Sequence, residues 1–161
     1  MAYDGMQGEF YIEGWEELRK ALRELEPKYC KEALRKALRA GQKVVLKSAR
    51  DRAPVAKELS DWAKEQGLKP GDLKRSIKIR TGKRGKRERD SIKLEVGVGL
   101  GKGAADGYIN GKWYWAFVEY GTSRMKARPY LRVAFDTNVE AVGKATVDAA
   151  WEAIKKRWGE K

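Results

Sequence analysis

The stretch "YWAFVEYGTSRMKARPYLRVAFD", Tyr114 to Asp136, joins the most apolar run of the chain to its last amphipathic segment. The run "KWYWAFVEYG", Lys112 to Gly121, has apolar residues on both parities, which predicts a central strand covered on both faces, or a strand with one face held for a partner. Gly121 can leave that strand through backbone angles other residues avoid. Thr122 can satisfy free amides in the turn, and Pro129 suits the first turn of a closing helix from Pro129 to about Trp158. Glu119 stands at the end of the apolar run. A carboxylate there is costly unless paired, and Arg124, Arg128 and Arg132 follow closely enough to compete for it.

Outward from this block the pattern is mostly helical. "EFYIEG", Glu9 to Gly14, predicts a short strand closed by glycine. Trp15, Leu18, Leu22 and Leu25 then recur at helical spacing, with Glu16 and Glu17 suiting the positive end of the helix dipole. Pro27 opens a second, long helix to about Arg52, with Cys30, Leu34, Ala37, Leu38, Val45 and Ala49 near one face and Lys and Arg between them. Pro54 marks its end, because the residue before proline resists the α conformation. "KELSDWAKEQG" predicts a short helix ending at Gly67, followed by a turn at Pro70-Gly71.

"SIKIRTG" and "SIKLEVGVGL" alternate apolar and polar residues, so they predict two strands joined by the polar loop "KRGKRERD". "GKGAADGYING" is a glycine-rich connection. In the closing helix, Leu131, Phe135, Val139, Val142, Ala149, Ala153 and Ile154 trace the apolar face. These elements predict an α+β fold, a small antiparallel sheet packed against two long helices with a long basic hairpin. The 161 residues fit a single domain over residues 1–161, since domains typically run about 100–200 residues.

The chemistry that is missing narrows the function. There is no histidine, which removes Ser-His-Asp and Cys-His catalysis and the commonest metal ligand. One cysteine, Cys30, can form neither an internal disulfide nor a thiolate zinc site, and among Leu and Ala it reads as a buried structural thiol. "GVGLGKG", Gly97 to Gly103, fails both phosphate-loop patterns in spacing and reads as a flexible strand exit. The carboxylates are spread through helices beside Lys and Arg, as in solvated faces. The expectation is a non-enzyme with no catalytic residues, cofactor or metal. No apolar run approaches the ~18 residues of a membrane span, and the N-terminal stretch lacks the basic and apolar regions of a signal peptide, so no membrane partner is expected.

The net charge of +13 attracts nucleic acid or an acidic surface. Lys74 to Lys93 carries ten cations against Glu88 and Asp90, +8 in 20 residues. Its tip, Gly82 to Asp90, has no apolar residue to offset ordering entropy, so a mobile tip is expected. Lys83, Arg84, Lys86, Arg87 and Arg89 are the candidate contacts to DNA or an acidic partner, and with no aromatic residue there a DNA contact would be to the backbone, without sequence preference.

The order of motifs carries a resemblance. Ala53-Pro54, then Gly71, Leu73, Lys74, Ser76 and Ile77, then Glu119-Tyr120-Gly121-Thr122, then Arg128-Pro129-Tyr130-Leu131 with Ala134 run through nearly the whole chain. This resembles the tailed-phage tail-completion or head–tail joining family, gene-product-ten-like and related to minor tail protein Z of lambda-like phages. Trp115 stands where that family usually has tyrosine, and the segment between Pro54 and Gly71 is longer than usual. The resemblance implies a structural virion protein of a tailed phage, prophage or phage-like particle, located at the neck or tail end and made in the bacterial cytoplasm. Its implied partners are tail-tube, tail-terminator or head-connector subunits. It also implies a homo-oligomeric ring of six copies or a multiple of six, for which Trp113, Trp115, Trp151 and Trp158 are the interface candidates. Composition alone favours a different function, a small cytoplasmic nucleic-acid-binding protein using the basic hairpin.

Overall fold

Helix α2, Pro27–Arg52, is the strut that carries the sheet and the last long helix. The computed structural model describes residues 14–59, 61–65, 67–81, 92–98 and 114–159. In chain order α2 is preceded by α1 (Trp15–Glu24) and followed by α3 (Asp61–Glu65), α4 (Asp72–Ser76), β1 (Ile77–Thr81), β2 (Leu94–Val98), α5 (Trp115–Tyr120), α6 (Leu131–Asp136) and α7 (Val139–Gly159). The fold is α+β: a two-stranded antiparallel sheet lies against α2, which also packs along α7. Ile77 pairs with Val98 and Thr81 with Leu94, which fixes the register of the basic hairpin. The predicted strand at residues 9–14 and the hairpin tip lie outside the described residues, apart from Gly14, which begins α1 with a positive φ of 77°.

The buried face of α2 is Ala33, Ala37, Gly41, Val45 and Ala49, a strict i,i+4 row of mostly small residues. Sequence periodicity placed this face partly on Cys30, Leu34 and Leu38. These residues sit at its margin and are only half-buried, because the small row is what lets α7 approach. A Cβ at Gly41 would run into the Thr146 hydroxyl and lie 3.1 Å from the carbonyl oxygen of Val142. That hydroxyl donates to the same Val142 carbonyl at 2.7 Å.

Two apolar clusters follow from this arrangement. Toward its N-terminal end α2 contributes Ala37 to a cluster with Leu18 and Ala21 of α1 and Val147, Ala150 and Ile154 of α7. Toward its C-terminal end, Val45 and Ala49, with Ala53 just beyond, join Leu73, Ile77, Val98, Tyr130 and Ala134. The sheet is pinned to α2 by Arg50, whose Nη2 and Nε donate to the carbonyl of Ile77 at 2.9 and 3.2 Å.

Two local expectations are corrected. The aromatic run is not a strand: residues 115–120 form α5, with Trp115, Val118 and Glu119 inward and Phe117 and Tyr120 outward, an i,i+3,i+4 pattern. The closing helix is not continuous and does not start at Pro129. It begins at Leu131, breaks at Thr137 and Asn138, and resumes at Val139. Asn138 Nδ2 donates to the Ala134 carbonyl at 2.8 Å and to Ser48 Oγ at 3.0 Å, a side-chain bond that competes with helix continuation and ties the break to α2. The buried face of α7 therefore runs through Val147, Ala150 and Ile154, and Phe135 of α6 is exposed. Between the Pro70-Gly71 turn and the first strand, "DLKRS" forms a helical turn, α4. It opens at Gly71 with φ of 79°, and Asp72 Oδ2 accepts from the Lys69 amide at 2.9 Å.

Gly41→Ala is expected to destabilise the protein by about 1–3 kcal/mol in urea unfolding, although alanine is the better helix former, because the added methyl overpacks the α2–α7 crossing. Adding Thr146→Ala should recover part of that loss.

Candidate functional site

The α5–α6 corner is built around one carboxylate. Glu119 is 2 % exposed, and its Oε2 accepts from the amides of Tyr130 at 2.8 Å and Leu131 at 3.0 Å. Its Oε1 accepts from the Arg132 amide at 3.0 Å. These are donors that a helix leaves free at its N-terminus, and the helix dipole there favours a negative charge. The residue at the cap position, Tyr130, makes no side-chain capping bond of its own, so Glu119 does that work from eleven residues upstream. The expected arginine pairing is corrected: Arg124, Arg128 and Arg132 are exposed, no guanidinium pairs with Glu119 among the described residues, and Arg132 meets it through its backbone amide alone. Backbone amides can enter the apolar corner without burying a second charge.

The loop between the helices is equally constrained. Gly121 has φ of 77°, and a Cβ there would sit 2.8 Å from the Ala127 nitrogen. Thr122 and Met125 bond to each other's backbone, and Thr122 Oγ1 accepts from the Met125 amide at 3.0 Å, as the sequence predicted. The Arg128 amide donates to the Val118 carbonyl at 2.8 Å. Pro129 precedes the cap residue instead of lying in the first helical turn. Tyr130 is fully buried, and its hydroxyl has no hydrogen-bond partner among the described residues.

This rigid corner separates two open grooves. One, of about 430 Å³, is lined by Pro54, Val55, Leu59, Leu68, Val118 and Met125, with Lys126 and Arg128 at the rim. The other, of about 610 Å³, lies beside β2 and contains Leu94, Val96, Tyr120, Leu131 and Phe135, with Glu95 and Asp136 at its edge. Tyr120 is 62 % exposed and Phe135 49 %. Large apolar side chains clustered this way suit a protein–protein contact better than catalysis. Among the described residues no group of His, Cys, Asp and Glu could hold a metal ion, and no helix is long and apolar enough to cross a membrane.

The outer face of α2 is basic. On α2 the cations Lys31, Arg35, Arg39, Lys43 and Lys47 form a second i,i+4 row, two residues out of step with the buried one and so on the outer face. Arg35, Arg39, Lys43 and Lys47 are exposed and have no acidic partner among the described residues. Each like-charged i,i+4 step weakens the helix by about 0.2–0.5 kcal/mol, and the first turn of α2 has no acidic residue to favour the dipole. Arg35, Lys36 and Arg39 also form one wall of a groove of about 400 Å³, with Thr81 and Lys93 of the hairpin base opposite.

The remaining sequence candidates divide. Lys83, Arg84, Lys86, Arg87, Arg89 and Trp113 lie outside the described residues, as does the side chain of Trp158. Trp115 and Trp151 are half-buried and pack against the two cores, one each. Phe135 and the outer row of α2 had not been singled out as a surface, and Tyr120 only as part of an aromatic strand with one face held for a partner. The i,i+4 spacing of the cations was the available signal for the α2 row.

A protein-family model, described as "Bacteriophage HK97-gp10, putative tail-component", matches residues 16–121, from the first turn of α1 to the glycine that leaves α5. The chain matches no curated protein and no solved structure.

Glu119→Ala is expected to lower stability by about 1–3 kcal/mol, read from thermal or urea unfolding, since it leaves three amides of the corner without their acceptor. Tyr130→Phe should be neutral or stabilising by up to about 1 kcal/mol, because it removes a buried hydroxyl that has no partner. Burial first, then the charges of Glu119 and Tyr114, raise the Tyr130 titration well above the ordinary tyrosine value, and burial and Asp72 raise that of Tyr114. Folding thus favours the neutral phenols. That contribution is complete below about pH 10 and is lost as pH rises through the raised values, so alkaline destabilisation should be shallower in Tyr130→Phe.

Proposed function

Because the chain belongs to the HK97-gp10-like family of bacteriophage tail components, we propose that it is a non-enzymatic structural subunit that completes the tail or joins it to the head. It is made in the bacterial cytoplasm and carried in the virion at the neck or tail end. The family match over 16–121 is the observation that carries this reading. The corner supports it: a rigid α5–α6 turn flanked by two open apolar grooves is suited to a fixed protein contact.

The proposed assembly is a ring of six copies, or a multiple of six, closed by head-to-tail contacts and seated against tail-tube, tail-terminator or head-connector subunits. Trp115 and Trp151 already pack inside the subunit, so the exposed Tyr120 and Phe135 supply the better material for such contacts. The basic hairpin, with Lys83, Arg84, Lys86, Arg87 and Arg89, is proposed to face an acidic partner surface or DNA.

A ring concentrating +13 per copy repels itself. Light scattering should therefore find monomers or small oligomers at low salt, with association promoted by high salt or by tail and connector subunits. Tyr120→Ser/Phe135→Ser should abolish co-elution with those subunits while leaving the melting curve little changed. A wild-type chain that stays monomeric in every condition, partner subunits included, overturns the reading.

A further inference from the structure

Five large apolar side chains are exposed among the described residues: Val55, Phe117, Tyr120, Met125 and Phe135. Four of them divide between the two grooves that flank α5. Val55 and Met125 lie in the groove of about 430 Å³, and Tyr120 and Phe135 in that of about 610 Å³. Val118 lines the first groove and Tyr120 the second. Residues two apart in a helix stand about 200° apart around its axis, so the grooves open on opposite sides of α5. Their rims differ in sign. Lys69, Lys126 and Arg128 line the first with no carboxylate among them, and all three are exposed without an acidic partner among the described residues. The second has Glu95 and Asp136 exposed at its edge, against Arg132. Lys93 reaches Glu95 only at 3.9 Å, and Asp136 has no ion-pair partner among the described residues.

We infer that the Tyr120–Phe135 corner of one copy docks in the Val55–Met125 groove of the next copy, with Glu95 and Asp136 set against Lys126 and Arg128. The contact rests on the ring reading and names the two surfaces that join its subunits. An apolar centre inside a charged rim is the anatomy of a protein–protein contact, and here both halves of a complementary pair stand on one chain. The signs select the head-to-tail mode. A two-fold contact would set each surface against itself, cation on cation or carboxylate on carboxylate, and such juxtaposition is strongly disfavoured. With the surfaces on opposite sides of a rigid corner, each docked copy still offers one of them to a further copy, and the series forms a ring when its rotation closes. The repulsion of +13 per copy acts at long range and is screened beyond about 8 Å at physiological ionic strength, whereas partly buried rim pairs are screened much less. Salt can therefore promote association while the rims still choose the partner surface.

The experiment follows self-association of the full-length protein by light scattering, at the salt or with the tail subunits that bring the wild type together. Lys126→Glu/Arg128→Glu reverses the groove rim, and Glu95→Lys/Asp136→Lys reverses the corner rim. All four positions are exposed, so both variants should fold, as melting curves will check. Each alone should need at least about tenfold more protein to associate. The groove variant is less basic than the wild type, so its loss would run against the trend set by net charge. An equal mixture of the two variants should recover wild-type association, as should one chain carrying all four changes, because opposite rims then meet again. A second measurement leaves the rims intact. In a Cys30→Ala background, Val55→Cys and Phe135→Cys chains treated with a short bis-maleimide should cross-link in the mixture and far less in either alone. Equal cross-linking in the separate samples overturns the inference in favour of a two-fold contact. Variants that associate like the wild type overturn it and leave the ring reading standing, as does a mixture that fails to recover association. A groove variant that self-associates normally but loses co-elution with tail or connector subunits also overturns it and assigns the groove to those subunits. A wild type that never associates with itself overturns this contact and the ring together.

Discussion

The carboxylate of Glu119 accepts three amides at the start of α6, and the position of everything after α5 depends on that contact. α6 has six residues and no capping side chain of its own, so an isolated segment of that length could not hold its first turn. The cap comes from outside the segment, across a loop whose path is fixed by Gly121 and the Thr122–Met125 bridge. With α6 placed, Tyr130 and Ala134 enter the core beside Ala49 and Ile77, and Asn138 reaches Ser48 to aim α7 back along α2. The burial of a charge is tolerated because all three donors are backbone groups that would otherwise be unpaired in the same place.

α2 serves two purposes with two interleaved i,i+4 rows. The small inner row, centred on Gly41, sets how closely α7 can approach and divides the interior into two clusters joined by the same helix pair. In the outer row Arg35, Arg39, Lys43 and Lys47 concentrate positive charge with no acidic partner among the described residues. Each i,i+4 step turns a row by about 40° at 3.6 residues per turn, so the two rows, offset by two residues, wind around the helix together and stay on opposite sides of it at every level. The packing face and the charged face are thus two readings of one periodicity.

The basic side and the aromatic corner are different kinds of surface. The corner offers shape and apolar area held rigid by hydrogen bonds, which suits a contact with a defined subunit. The α2 row offers charge with little apolar area, which suits contact with an acidic surface.

Much of the fold was legible in the sequence because its signals are local. The span of α2 follows from Pro27, the apolar spacing and Pro54. The two strands follow from alternation, the exit at Gly121 from a glycine after an apolar run, and the family resemblance from ordered short motifs. The residues of the corner could be picked out, Glu119 foremost, but not what Glu119 pairs with. An apolar run of eight residues does not reveal its own period, and aromatic and β-branched content favours a strand. The tertiary structure makes Trp115–Tyr120 a helix, with Trp115 and Val118 packed on the core cluster and Glu119 turned inward onto the amides of Tyr130, Leu131 and Arg132. The break at Asn138 and the exact buried faces of α2 and α7 were likewise decided by partners far away in sequence, Ser48 and Thr146. What the sequence determined by itself was where elements start and stop, since breakers and periodicity act over a few residues. What the tertiary structure decided was which side of each element is buried and where a lone charge finds its donors, since burial and pairing depend on groups the local sequence does not contain.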